Sequence, residues 1–218
     1  MFVIFDTETT GLTASRDRVV EIGAVKFRND RILERRRWLI NPGLPIPESA
    51  TRIHGITSAM VTNAPAFAAV LPEFAAFAGE AVLLAHNGKF DRRFVAAELE
   101  RNGLPGPTNM LVDTMPLFKR WYAGLRSYAL EALVEKIVPA PTNNLAAAGS
   151  RDPGRDRTFH TALWDADCLA ALFMKGAARL PPGSSLGDLL RSAGGVYFFD
   201  RPRRLKPPAA APDHPASD

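Results

Sequence analysis

Phe2-Val3-Ile4-Phe5-Asp6-Thr7-Glu8-Thr9-Thr10-Gly11-Leu12 decides more of the fold than any other stretch of this chain. Its large apolar residues read as a strand covered on both faces. Side chains alternate along a strand, so Asp6 and Glu8, placed at its end, point to the same side. Two carboxylates about 4 Å apart at an effective dielectric of about 20 repel by roughly 4 kcal/mol. A shared proton or a hard divalent cation with oxygen ligands would offset that repulsion. An Asp-x-Glu pair is common, and its meaning depends on further carboxylates elsewhere.

Two more segments supply them. Ala81 to Ala85 reads as a second buried strand running into His86-Asn87-Gly88-Lys89-Phe90-Asp91. Gly88 marks a turn, and Phe90, Phe94, Val95 and Leu99 recur at helical spacing. Asp91 then falls in a first helical turn, where a plain helix-start acid would gain about 0.3–1 kcal/mol from the macrodipole. Further on, Phe159-His160-Thr161-Ala162-Leu163-Trp164-Asp165-Ala166-Asp167 opens an apolar helical stretch through Leu169, Leu172 and Phe173. Here His160 could be a loop histidine, and Asp165 and Asp167 ordinary early-helix acids. Asp165 and Asp167 are two helical positions apart, about 200° of rotation, so only one can face a shared site.

Asp-x-Glu, then HNGKFD, then His-x-x-x-x-Asp, in that order from Phe2 to Phe173, resembles the DEDDh 3′→5′ exonuclease family. DTETTGL, Ile53-His54-Gly55-Ile56-Thr57 and Ser127-Tyr128-Ala129-Leu130-Glu131-Ala132-Leu133 look most like its epsilon-type branch, the proofreading subunits of bacterial DNA polymerase III. The resemblance implies a ribonuclease H-like fold, a mixed five-stranded sheet flanked by helices. It also implies Asp6, Glu8, Asp91 and Asp165 as carboxylate ligands of two Mg2+ ions, with Mn2+ as a substitute. His160 would be the general base, a role that suits an imidazole with an ordinary pKa near 6.5. Asp165 is preferred to Asp167 as the ligand.

The same resemblance places Thr9, Gly11, Leu12, His54, Asn87 and Phe90 against substrate. Each has a plain structural alternative: Gly11 a turn, Leu12 and Phe90 core, His54 a packed helix-end residue, Asn87 a turn residue. Asp113 reads as a helix N-cap after a strand. The implied reaction is hydrolysis of phosphodiesters from the 3′ end of DNA, releasing nucleoside monophosphates. Single-stranded or frayed 3′ ends would be the substrate and a DNA polymerase subunit a possible partner. The same chemistry on RNA or short oligoribonucleotides is the alternative, because discrimination rests on contacts near the sugar 2′ position. A third reading is a non-catalytic nucleic-acid or polymerase-binding module, whose mark would be a missing carboxylate or histidine; none is missing.

Composition agrees with these readings. The chain has 218 residues, a formal net charge of +4 and one cysteine. That length suits one principal domain. Arginines cluster at 35–37, 92–93, 151–157 and 201–204, and could form a phosphate-attracting rim; for Arg35 to Arg37 a solvated surface is the favoured reading. Cys168 is the single cysteine and lies in an apolar helical pattern, so no intramolecular disulfide is possible and nothing points to a zinc cluster. Acids at positions 6 and 8 interrupt the N-terminal apolar run and no stretch is long enough to span a membrane, so a cytoplasmic protein is expected.

Along the chain, 18–28 and 31–41 read as a hairpin turning at Asn29-Asp30, its second strand charged as edge strands often are. Residues 42–47 form a loop, 64–78 a helix that Pro72 could interrupt, and 92–101 a further helix. Strand 110–113, helices near 115–122 and 128–137, and a last core helix over about 161–180 follow. The expected division is an exonuclease domain over 1–180, an extension over 181–200 with a helix and a short apolar strand (Val196 to Phe199), and a disordered proline-rich tail over 201–218. Residues 139–157 read as a long loop acting as a substrate-responsive lid.

Overall fold

Alternation along the first strand determines how both faces of the sheet are covered. The computed structural model describes residues 1–138, 161–181, 184 and 196–199. Strand β1 (Phe2–Thr9) pairs antiparallel with β2 (Val19–Arg28), and β2 pairs antiparallel with the edge strand β3 (Arg31–Leu39). On the other side of β1 lie β4 (Val82–Ala85) and β5 (Met110–Asp113), both parallel to their neighbours, followed by antiparallel β6 (Val196–Phe198). The order is β3-β2-β1-β4-β5-β6. The sheet thus has six strands and not five. A three-residue run such as β6 shows its strand character in sequence, but its membership of the sheet depends on pairing with β5.

Helices α1 (Glu48–His54), α2 (Ser58–Val61), α3 (Phe67–Ala78), α4 (Lys89–Asn102), α5 (Thr114–Trp121), α6 (Leu130–Ile137) and α7 (Ala162–Ala177) complete the described residues. Val3 and Phe5 of β1 face one core with α3 and α4, built on Phe67, Val70, Phe74, Phe77 and Phe94. Ile4 faces the opposite core with Val25 and Phe27 of β2 and Leu163, Leu169, Leu172 and Phe173 of α7. Each fully buried side chain of this size contributes about 1.5–3 kcal/mol. That burial explains why α3 runs unbroken through Pro72: one lost backbone bond is outweighed by five large side chains on its inner face.

The β2–β3 turn falls at Asn29-Asp30 as predicted, with Asn29 in the left-handed region at φ 55°. Asp113 caps α5, its carboxylate accepting from the Met115 N–H. Helix α2 is absent from the sequence reading, and α1 enters it only as the helix-end alternative for His54, although Pro47 before Glu48 and Gly55 after His54 (φ 69°) mark both ends of α1. They cover a small cluster of Val20, Ile46, Ala50, Ile56 and Val61 at the edge of the sheet. The expected lid over 139–157, the helix after Ser185 and the tail over 201–218 lie outside the described residues. No described helix is long and apolar enough to cross a membrane.

Candidate active site

Carboxylates from two elements meet over β1. Asp6 and Glu8 project from the same face of the strand, and α7 crosses that face so that Asp165, in its first turn, joins them. One ligand oxygen from each of Asp6, Glu8 and Asp165 lies within 4.8 Å of the others. Thr161 caps the helix, its hydroxyl accepting from the Trp164 N–H at 3.2 Å. The pair sits inside the strand and not at its end, since β1 continues to Thr9.

Asp91 approaches from the other layer. It lies in the first turn of α4, only 2% exposed, and its Oδ1 accepts from the Thr7 hydroxyl at 2.7 Å. Thr7 alternates with Asp6 and Glu8, so β1 itself bridges the two layers. Helix α4 is anchored further along by Glu98, whose carboxylate accepts from the Val19 N–H at 3.2 Å and pairs with Arg101.

Electrostatics follow from this crowding. Burial, then the charges of Asp91, Asp165, Glu8 and Glu21, push the Asp6 carboxyl well above the usual carboxylate range. Burial pushes Asp91 up to about 7, against the opposing pull of its hydrogen bond from Thr7. Such a set holds protons or a cation. Its donors are oxygen only, which fits Mg2+ or Mn2+ better than a metal preferring sulfur or imidazole.

Asp167 turns away from this cluster. Its carboxylate accepts from Arg35 Nε on β3 at 2.6 Å, as the opposed rotation of positions 165 and 167 requires. Arg37 reaches the fully buried Glu21 at 2.9 Å. The solvated-surface reading of Arg35 to Arg37 is therefore corrected: only Arg36, paired with Glu34 at 3.5 Å, stands well out in solvent. Cross-strand register and the passage of α7 create the other two pairs, and neither can be read locally.

The remaining sequence candidates spread around the site. Thr9 is buried and its hydroxyl donates to the Gly11 carbonyl at 2.6 Å, closing the turn after β1. Gly11 sits against Asp17, whose carboxylate a Cβ would meet at 2.6 Å. Leu12 is 79% exposed, which overturns its reading as a core residue. His54 ends α1 buried, its Nδ1 accepting from the Ile56 N–H at 3.0 Å. Asn87 is exposed at φ 57° in the turn between β4 and α4. Phe90 is partly buried, packed on Phe94 with ring centroids 4.8 Å apart. His160 lies outside the described residues. The sequence reading missed two residues of this region, Glu21 and His86. Glu21 stands directly across from Glu8. His86 Nε2 donates to the Tyr128 carbonyl at 2.7 Å, leaving Nδ1 to the Thr114 hydroxyl at 3.0 Å, and burial pushes its pKa down.

The family model described as Exonuclease (RNase_T) matches residues 3–173. The chain belongs to this exonuclease family. Among curated relatives, a PolC-type DNA polymerase III of Caldanaerobacter subterraneus subsp. tengcongensis is 42% identical over 134 residues, 62% of this chain and 10% of that protein. One from Thermotoga maritima is 34% identical over 174 residues, 80% of this chain and 12% of that protein. The chain thus spans about a tenth of the length of these polymerases. Among solved structures, Exonuclease X in complex with 5′ overhanging duplex DNA is 30% identical with a TM-score of 0.67, covering 89% of this chain and all of that one. E. coli Exonuclease I with a dA16 oligonucleotide shares the fold at 18% identity and a TM-score of 0.64, over 87% of this chain and 42% of that one. The fold is the ribonuclease H-like arrangement of these exonucleases, and the chain is a nuclease of the hydrolase class.

Proposed function

We propose that this exonuclease removes nucleoside monophosphates from the 3′ end of DNA with divalent metal ions held by Asp6, Glu8, Asp91 and Asp165. The observation that carries the reading is the meeting of Asp6, Glu8 and Asp165 within 4.8 Å in an all-oxygen cluster, with Asp91 buried alongside. Two bound Mg2+ or Mn2+ ions would supply a hydroxide near neutral pH and neutralise charge on the leaving 3′ oxygen. The chain's own residues prepare that chemistry. Thr7 fixes the Asp91 carboxylate in one orientation. His160, immediately before the cap of α7, takes the proton of the attacking water. Leu12, exposed just past β1, offers an apolar surface to the terminal base.

DNA is preferred to RNA as substrate because the similar polymerases and Exonuclease X act on or are bound to DNA by their names. Likeness to PolC-type polymerases supports a polymerase partner and an editing role. Residues 1–180 would form the catalytic unit. The test is product analysis with 3′- and 5′-labelled single-stranded DNA and matching RNA, in magnesium, manganese or EDTA. Stepwise shortening from the 3′ end, lost in EDTA and faster on DNA, is the expected result. Cleavage from the 5′ end or persistence in EDTA would overturn the reading.

A further inference from the structure

The metal ligand on α7 is far in sequence from those on β1, so something must set how closely the helix approaches the sheet. Gly23, on β2, lies directly opposite Asp6 of β1 and directly opposite Arg37 of β3. The first turn of α7 rests on it. A Cβ at position 23 would collide with the backbone of Ala162 and Leu163, far inside the 3.0 Å that real Cβ atoms keep. The obstructing atoms are backbone, which no rotamer change can relieve, so any side chain at 23 would lift the helix. Two residues past Asp165, the Arg35–Asp167 ion pair ties the same helix to the edge strand at 2.6 Å, with Asp167 6% exposed. Positions 165 and 167 point in nearly opposed directions, so a pair that draws Asp167 toward β3 turns Asp165 back toward β1.

We propose that Gly23 and Arg35 are positioning residues for the metal site: Gly23 sets the height of α7 over Asp6, and Arg35 sets its rotation. This rests on the reading of Asp6, Glu8 and Asp165 as metal ligands and adds how the third is delivered. Mg2+ and Mn2+ sites tolerate little error, since Mg2+ requires oxygens at about 2.0–2.1 Å in a near-octahedral arrangement. A displacement on the order of 1 Å at a catalytic group can cost about 10²-fold in rate.

Gly176 provides an internal control, because it makes an equally close approach at the other end of α7. A Cβ there would collide with the Trp121 ring, away from the carboxylates. The experiment is Mn2+ titration by calorimetry on wild type, Gly23→Ala, Arg35→Met and Gly176→Ala, with circular dichroism and melting in EDTA to follow folding. Gly23→Ala and Arg35→Met should each bind Mn2+ about 10–100-fold more weakly, the range of outer-shell partners. Gly176→Ala should melt earlier yet bind Mn2+ as wild type does. Wild-type affinity in a folded Gly23→Ala, or equal losses in all three variants, would overturn the proposal. If Gly23→Ala does not fold, Arg35→Met decides, and wild-type affinity there overturns it. Wild-type protein that binds no Mn2+ would instead overturn the metal-site reading on which the proposal stands.

Discussion

Asp91→Asn should stabilise the metal-free protein at alkaline pH, although it removes a proposed metal ligand. Asp91 is buried, and burial raises its pKa from 3.8 to about 7. Such a carboxyl holds its proton more tightly in the folded state by about 4 kcal/mol. The unfolded chain releases that proton near 3.8, the folded one only near 7, so between those values the folded state binds more protons. Stability from this group therefore falls as pH rises through the window, by roughly 3 kcal/mol between pH 5 and pH 8. Asparagine keeps an oxygen for the Thr7 hydroxyl and never ionises. For a chain of this size the difference corresponds to a melting temperature about 6–12 °C higher for Asp91→Asn at pH 8, narrowing toward pH 5. Comparing variant with wild type cancels titrations that Asp91 does not perturb, such as that of His86, whose lowered pKa acts with opposite sign. Asp6, which the Asp91 charge pushes up, is relieved in the variant and adds to the difference in the same direction. The assay is calorimetric melting in EDTA from pH 5 to pH 8.5. Equal or lower melting of Asp91→Asn at pH 8 would refute the reasoning. Saturating Mn2+ should reverse the order, because it stabilises only the chain with its ligands intact.

Asp6→Ala or Asp165→Ala should nearly abolish metal-dependent cleavage, beyond the ~10–100-fold typical of an outer-shell residue; a gel assay on labelled DNA reads this, and near-wild-type rates in either variant would contradict it. His160→Ala should slow cleavage roughly 10²–10⁴-fold and remove the acidic limb of the pH–rate profile, measured under single-turnover conditions. Leu12→Ala should leave melting within about 0.5 kcal/mol of wild type, as expected for an exposed side chain, while weakening kcat/KM on single-stranded DNA. Arg37→Met should destabilise by about 3–5 kcal/mol in denaturant titration, because it strands the buried Glu21 carboxylate.

How much of this is legible in sequence depends on the range of each interaction. The β1 alternation that pairs Asp6 with Glu8, the hairpin turn at Asn29-Asp30, the Asp113 cap and the start of α4 near Asp91 are local, and all four are visible in the residues themselves. Helical rotation alone separates Asp165 from Asp167. What sequence hides is set by register and packing. The Arg35–Asp167 pair joins residues 132 positions apart, and Glu21 faces Glu8 only through the β1–β2 register. Gly23 reads as an unremarkable strand glycine until α7 is laid across it. Leu12 shows the converse: its structural alternative as a core residue fails, because the turn closed by Thr9 and Gly11 leaves it exposed.

The central claim, that carboxylates from β1, α4 and α7 form one metal site, is tested most directly by anomalous diffraction from manganese-soaked crystals of the wild-type protein. The expected result is manganese density bound by oxygens of Asp6, Glu8 and Asp165, with Asp91 completing the site. Manganese elsewhere, or none at these residues under conditions in which the protein shortens DNA, would contradict the account.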